Sequence, residues 1–141
     1  MFNTTIATQI YAKICFEATN SQKKIIENLS EYLSDDDFSR IFVLNGFAGT
    51  GKTTLIAALV AALKELRIKP VLLAPTGRAA KVLARYCGEQ ALTIHKRIYR
   101  QRTNADYESK FSLDFNREQG AVFIVDEASM LSDSTGDGAL F

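Results

Sequence analysis

The sequence predicts an α/β domain with a parallel sheet, and two patterns carry that reading. Three short apolar runs rich in β-branched residues lie at 41–44, 71–73 and 121–125, and segments with helical apolar spacing stand between them. Runs that are continuous rather than alternating suit strands covered on both faces. Strands alternating with helices argue for right-handed crossovers between parallel neighbours. The composition agrees: 141 residues, 47% hydrophobic and 23% charged, is the balance of one ordinary globular domain with enough chain for one core.

Taken in order, residues 1–20 are broken by polar side chains throughout and read as an N-terminal extension. They lack the basic start and uninterrupted apolar run of a secretion signal. Residues 21–33 place Ile25, Ile26, Leu29 and Leu33 at helical spacing, with Asn20 or Ser21 as the cap. The first strand follows at 41–44. Residues 53–66 form the second helix, with Leu55, Leu59, Leu63 and Leu66 on one stripe and alanines elsewhere. After the strand at 71–73, residues 77–86 form a third helix whose apolar set is Ala80, Val82, Leu83 and Tyr86. Residues 101–119 are polar with isolated aromatics and read as a hairpin or irregular insertion. The strand at 121–125 leads to a small, polar loop at 132–138. Three strands make a thin sheet for this architecture. The expectation is therefore a partial domain over residues 21–141, cut short.

Between the first strand and the second helix lies Gly46-Phe47-Ala48-Gly49-Thr50-Gly51-Lys52-Thr53, which fits G-x-x-x-x-G-K-[ST] at every fixed position. The glycines let successive N–H groups turn inward toward phosphate oxygens. The helix N-terminus adds its unpaired N–H groups and positive dipole end. Lys52 brings a cation to the β- and γ-phosphates, and the Thr53 hydroxyl is placed to ligate magnesium. The nucleotide-binding set runs on to Thr54. A loop of this kind in this context reads as a P-loop NTPase that uses ATP and Mg2+. The bland alternative is a glycine-rich turn with no ligand.

The last strand ends in Asp126-Glu127. A carboxylate at the C-terminal end of a parallel strand lies where open α/β sheets bind ligands. Asp126 reads as a magnesium ligand and Glu127 as the base that takes a proton from, or orients, the attacking water. Taken alone, such a pair also fits a solvated turn.

Charge is unevenly spread. Residues 64–102 carry ten basic and two acidic side chains, a net +8, while the rest of the chain carries −7. A basic middle favours a polyanion, although solvated helix faces have the same composition. Cys15, Cys87 and one histidine offer no zinc-ligand spacing and read as reduced thiols. No stretch approaches the roughly 20 apolar residues of a membrane span. With no secretion signal either, the expected location is the cytoplasm.

The loop at 46–53, together with Ala-Pro-Thr-Gly-Arg-Ala-Ala at 74–80, Thr-Ile-His at 93–95 and Val-Asp-Glu-Ala-Ser-Met at 125–130, resembles the first motor domain of RecD-like superfamily 1 DNA helicases. The resemblance covers residues from about 21 to 131 and implies a RecA-like sheet. It further implies that Gln22 reads the adenine edge, donating and accepting at once. Pro75, Thr76 and Gly77 would touch single-stranded DNA. Arg78 would join them or pair with a carboxylate. Thr93 and His95 match a further segment near the DNA path, though a lone histidine is more often a packing or hydrogen-bonding residue. The family's second motor domain, with its glutamine sensor of the γ-phosphate and its arginines, has no counterpart here. Without such arginines, phosphoryl transfer loses on the order of 10³ or more in rate, so the chain is expected to bind nucleotide better than it hydrolyses it. Two other readings stand beside this one: a non-motor nucleotide-binding module, and an unrelated P-loop enzyme such as a kinase or ring ATPase.

Overall fold

The chain divides into two compact units, Met1–Lys69 and Pro70–Phe141. The computed structural model describes residues 2–37, 39–46, 51–102, 110–113 and 120–131.

The first unit is helical among its described residues: α1 (Phe2–Lys13), α2 (Asn20–Ser34) and α3 (Lys52–Glu65). α1 packs on both α2 and α3, so residues 1–20 share a unit with the helices that follow. Its Ile6 and Ile10 are fully buried, one helical turn apart. Ile26 and Leu29 are buried on α2, and Leu55, Leu59, Val60 and Leu63 on α3. Each such side chain taken out of water contributes about 1.5–3 kcal/mol. The four alanines of α3, at 57, 58, 61 and 62, thin the helix; Ala58 and Ala62 are buried with the leucines. α3 ends in a Schellman turn. Arg67 takes φ 58°, and Ile68 N–H donates to the Leu63 carbonyl at 2.8 Å.

The strand expected at 41–44 is not formed. Residues 41–46 carry no sheet hydrogen bonding, and Ile41 is 84% exposed and Val43 70%. A strand needs a neighbour for its backbone groups, and the described residues of this unit include no strand to pair with. The segment is held instead by α2. Tyr32 donates its hydroxyl to the Arg40 carbonyl at 2.9 Å, and its ring lies 5.5 Å from that of Phe42.

The second unit contains β1 (Pro70–Ala74), α4 (Gly77–Cys87), β2 (Ala91–Thr93), α5 (Ile94–Ile98), β3 (Tyr99–Arg102), β4 (Lys110–Leu113), β5 (Val122–Val125) and a short 3-10 turn, Ala128–Met130. β2, β1 and β5 form a parallel sheet in that order, with β1 central. β3 and β4 pair as an antiparallel hairpin, so the described part of the 101–119 segment is the hairpin alternative. β1 is buried along almost its whole length, as its continuous apolar run requires. β5 is not: Phe123 is 43% exposed and Val125 39%, alternating with half-buried neighbours. One side of the sheet buries Val71, Leu73 and Ile94 together with Leu92, Ala121 and Leu131. α4 packs on β1 and β2 and buries Ala80 and Leu83, whereas Val82 and Tyr86, expected in the same apolar set, are exposed. The loop at 132–138 and residues 103–109 and 114–119 lie outside the described residues.

Candidate functional site

In the first unit, the described part of the glycine-rich loop is its two ends, Gly46 and the run from Gly51; Phe47, Ala48, Gly49 and Thr50 lie outside the described residues. Gly51 is the N-cap of α3 and takes φ 81°, a conformation that costs other residues about 1–2 kcal/mol. Gly51 has no side chain with which to cap this helix start. A helix of this length leaves its first N–H groups without intrahelical partners, which is the requirement for an anion site. Lys52 opens the helix and donates its ammonium to the Gly46 carbonyl, tying the two ends of the loop together. Thr53 and Thr54 follow in the first turn of the same helix.

Beside this helix start is a cavity of 210 Å³, walled by Ile25, Leu44 and Leu55 and edged by Gln22, Gly46 and Lys52. The chain enters α2 through a capping box. Gln22 N–H donates to Thr19 Oγ1 at 3.2 Å, and Thr19 N–H donates to Gln22 Oε1 at 2.9 Å. The cap is therefore Thr19 and not Asn20 or Ser21, and the signal for it, Thr-x-x-Gln, is present in the sequence. Gln22 is thus a structural group of the helix start as well as a wall of the cavity.

In the second unit, three sequence motifs converge on one edge of the sheet. Ala74 pairs with Thr93, and Leu73 with Val125, so the C-terminal ends of β2, β1 and β5 lie side by side. Pro75, Thr76, Gly77 and Arg78 leave β1 there, His95 follows β2 within α5, and Asp126 and Glu127 leave β5 there. This is the edge at which open parallel sheets present their ligand-binding residues.

Both threonines at this edge serve as helix caps. Thr76 Oγ1 accepts Ala79 N–H, and Thr93 Oγ1 accepts Lys96 N–H, each at 3.2 Å. A capping hydroxyl still has its own hydrogen to donate, and Thr76, Gly77 and Arg78 are exposed, whereas Thr93 is half-buried. Asp126 N–H donates to the Leu73 carbonyl at 3.0 Å, which extends the sheet ladder by one residue and anchors the carboxylate. Its Oδ1 accepts Glu127 N–H at 2.9 Å. Glu127 takes φ 55°, ψ 36°, an uncommon backbone for a glutamate and of the kind that collects at functional sites. The nearby thiol of Cys87 is pushed above its ordinary value, first by burial and then by the Asp126 carboxylate.

The basic segment is divided between the two units. Lys64, Arg67 and Lys69 belong to the first unit, and the others to the second. On α4, Arg78, Lys81 and Arg85 are exposed with Tyr86. Among the described residues no group of three or more His, Cys, Asp or Glu side chains could hold a metal. Magnesium needs no such cage, since it is commonly held by one or two protein groups with waters and substrate phosphates. Thr53 and Asp126 are donors of that class. No helix of the described residues is long and apolar enough to cross a membrane.

Residues 17–140 match the family model described as an AAA domain. The chain is also similar to the ATP-dependent RecD2 DNA helicase of Deinococcus radiodurans, with 29% identity over 114 residues. That alignment takes in 81% of this chain and 15% of the length of the relative. The likeness to RecD-like helicases drawn from the motifs is thus found again along most of the chain.

Proposed function

Because the chain belongs to the AAA-domain family, we propose that it binds ATP with magnesium and acts as the ATP-binding part of a DNA helicase motor. The observation that carries this reading is the start of α3. A helix N-terminus opened by a left-handed glycine, with a lysine at its first position, is an anion site of the kind phosphates occupy. The adjoining apolar cavity is of a kind that suits a base. In this reading Gly46 to Thr54 hold the phosphates, and Thr53 and Asp126 supply the magnesium ligands. Bound magnesium would neutralise charge building on the β- and γ-phosphates. Glu127 would accept a proton from, or orient, the attacking water, and its place after β5 supports that role.

Single-stranded DNA is the proposed polyanion, met by Thr76, Gly77 and Arg78 at the exposed start of α4, with Thr93 and His95 beyond. The likeness to a DNA helicase supports this, as does the position of these residues at one sheet edge. Since the matched part is 15% of the relative's length, unwinding belongs to the larger motor, in which a second motor domain is the proposed partner. Such a protein would work in the cytoplasm.

The test is anisotropy of a labelled single-stranded oligonucleotide at rising salt. Weak binding is expected, with affinity falling against salt by a logarithmic slope of roughly 0.7 per phosphate contact. No binding at the lowest salt would contradict the motor reading and favour a non-motor nucleotide-binding module.

A further inference from the structure

The inner side of α4 buries Ala80 and Leu83, where the helix packs on β1 and β2. The side turned away from them holds Arg78, Lys81 and Arg85, spaced i, i+3 and i+7, and Val82 with Tyr86, spaced i and i+4. Residues at those spacings are neighbours on a helix surface. The outer face is therefore a row of cations beside an apolar pair, about two turns long. Val82 is 47% exposed and Tyr86 63%. Among the described residues Arg78, Lys81 and Arg85 make no ion pair, although Lys13 and Arg40 do. Glu89, the acidic residue at the far end, is half-buried and already engaged. Arg78 belongs to the proposed DNA contact, whereas Lys81, Val82, Arg85 and Tyr86 have no part in it or in the nucleotide site.

We propose that this outer face of α4 is a docking surface for an acidic protein segment that also carries a large apolar side chain. Unpaired cations on an exposed face are complementary to carboxylates, which steer and orient a partner. The apolar pair separates a protein from a nucleic acid. A sugar-phosphate chain would meet the cations and leave Val82 facing water, and an aliphatic side chain beside Tyr86 interrupts the flat platform on which bases stack. An acidic segment with a leucine or phenylalanine meets both halves at once. Tyrosine and arginine are also the residue types that anchor protein interfaces.

Anisotropy of a labelled peptide tests this. The probe is about ten residues long, enough to run along two helical turns, and consists of aspartates with one leucine and one phenylalanine. It is compared with the same peptide carrying serine for both apolar residues, and with oligothymidylate. The wild-type chain should bind the probe, and the serine peptide about tenfold more weakly. Lys81→Gln with Arg85→Gln should weaken probe binding about fivefold and flatten its salt dependence. Val82→Gln with Tyr86→Gln should weaken it about tenfold and leave the salt dependence as it is. Glutamine is a good helix former, so both double variants should melt with wild type and keep its affinity for ATP. No binding of the probe, equal binding of probe and serine peptide, or equal probe binding by wild type and either double variant overturns the inference. Loss of oligothymidylate binding in Val82→Gln with Tyr86→Gln also overturns it and assigns the face to nucleic acid. Self-association of the wild-type chain that the same variant abolishes overturns it in favour of a second copy.

Discussion

Gly51 sits where two demands meet. Its left-handed backbone opens α3, and its missing Cβ leaves room for the Gln22 amide. Of the two, the backbone is the more costly to violate, because the end of a glutamine side chain can shift. Gly51→Ala should lower stability to urea by about 1–2 kcal/mol, the cost of placing a Cβ in that region. No change in the unfolding midpoint would show that the turn relaxes into another conformation. At this scale the glycine-rich pattern at 46–53 was legible because its spacing is read directly from residue types. The role of Thr19 was missed although Thr-x-x-Gln is a known signature. Asn20 and Ser21 are equally good capping types, and only the backbone shows which residue still lies outside the helix.

Among the elements, α4 combines two roles in its first turn, a cap and the proposed DNA contact. Thr76→Ala removes the acceptor for Ala79 N–H and should cost about 1 kcal/mol of stability. Thr76→Ser should restore it. A DNA-affinity loss in Thr76→Ala is therefore interpretable only beside Thr76→Ser, which keeps the hydroxyl. If Thr76→Ala melts at the wild-type temperature, the capping bond is not maintained in solution. The helices at 20–34, 52–65 and 77–87 were legible from apolar spacing, as were the strands at 70–74 and 122–125 from their β-branched runs. α1 was not, since Ile6 and Ile10 are diluted by threonines and polar residues. β2 spans three residues, too few for a period. The run at 41–44 has strand composition, but composition supplies no partner, and pairing is decided by what lies alongside.

For the whole molecule, sequence order hides how residues are shared out. The +8 segment reads as one basic stretch, yet the boundary at Lys69 divides it between two units. Conversely, residues 75–78, 93–95 and 126–127 are scattered along the chain, and parallel pairing gathers them at one sheet edge. Register and strand order did that, and neither can be read from local pattern. The central claim is that the start of α3 is a phosphate site. Calorimetric titration of the wild-type chain and Lys52→Ala with ATP and magnesium tests it most directly. Among the described residues Lys52 ties the loop through its hydrogen bond to Gly46, so the variant should remain folded. A charge-assisted contact is worth about 1.5–3 kcal/mol, so affinity should fall by at least about tenfold. Equal affinity in the two proteins, or no binding by either, would contradict the account.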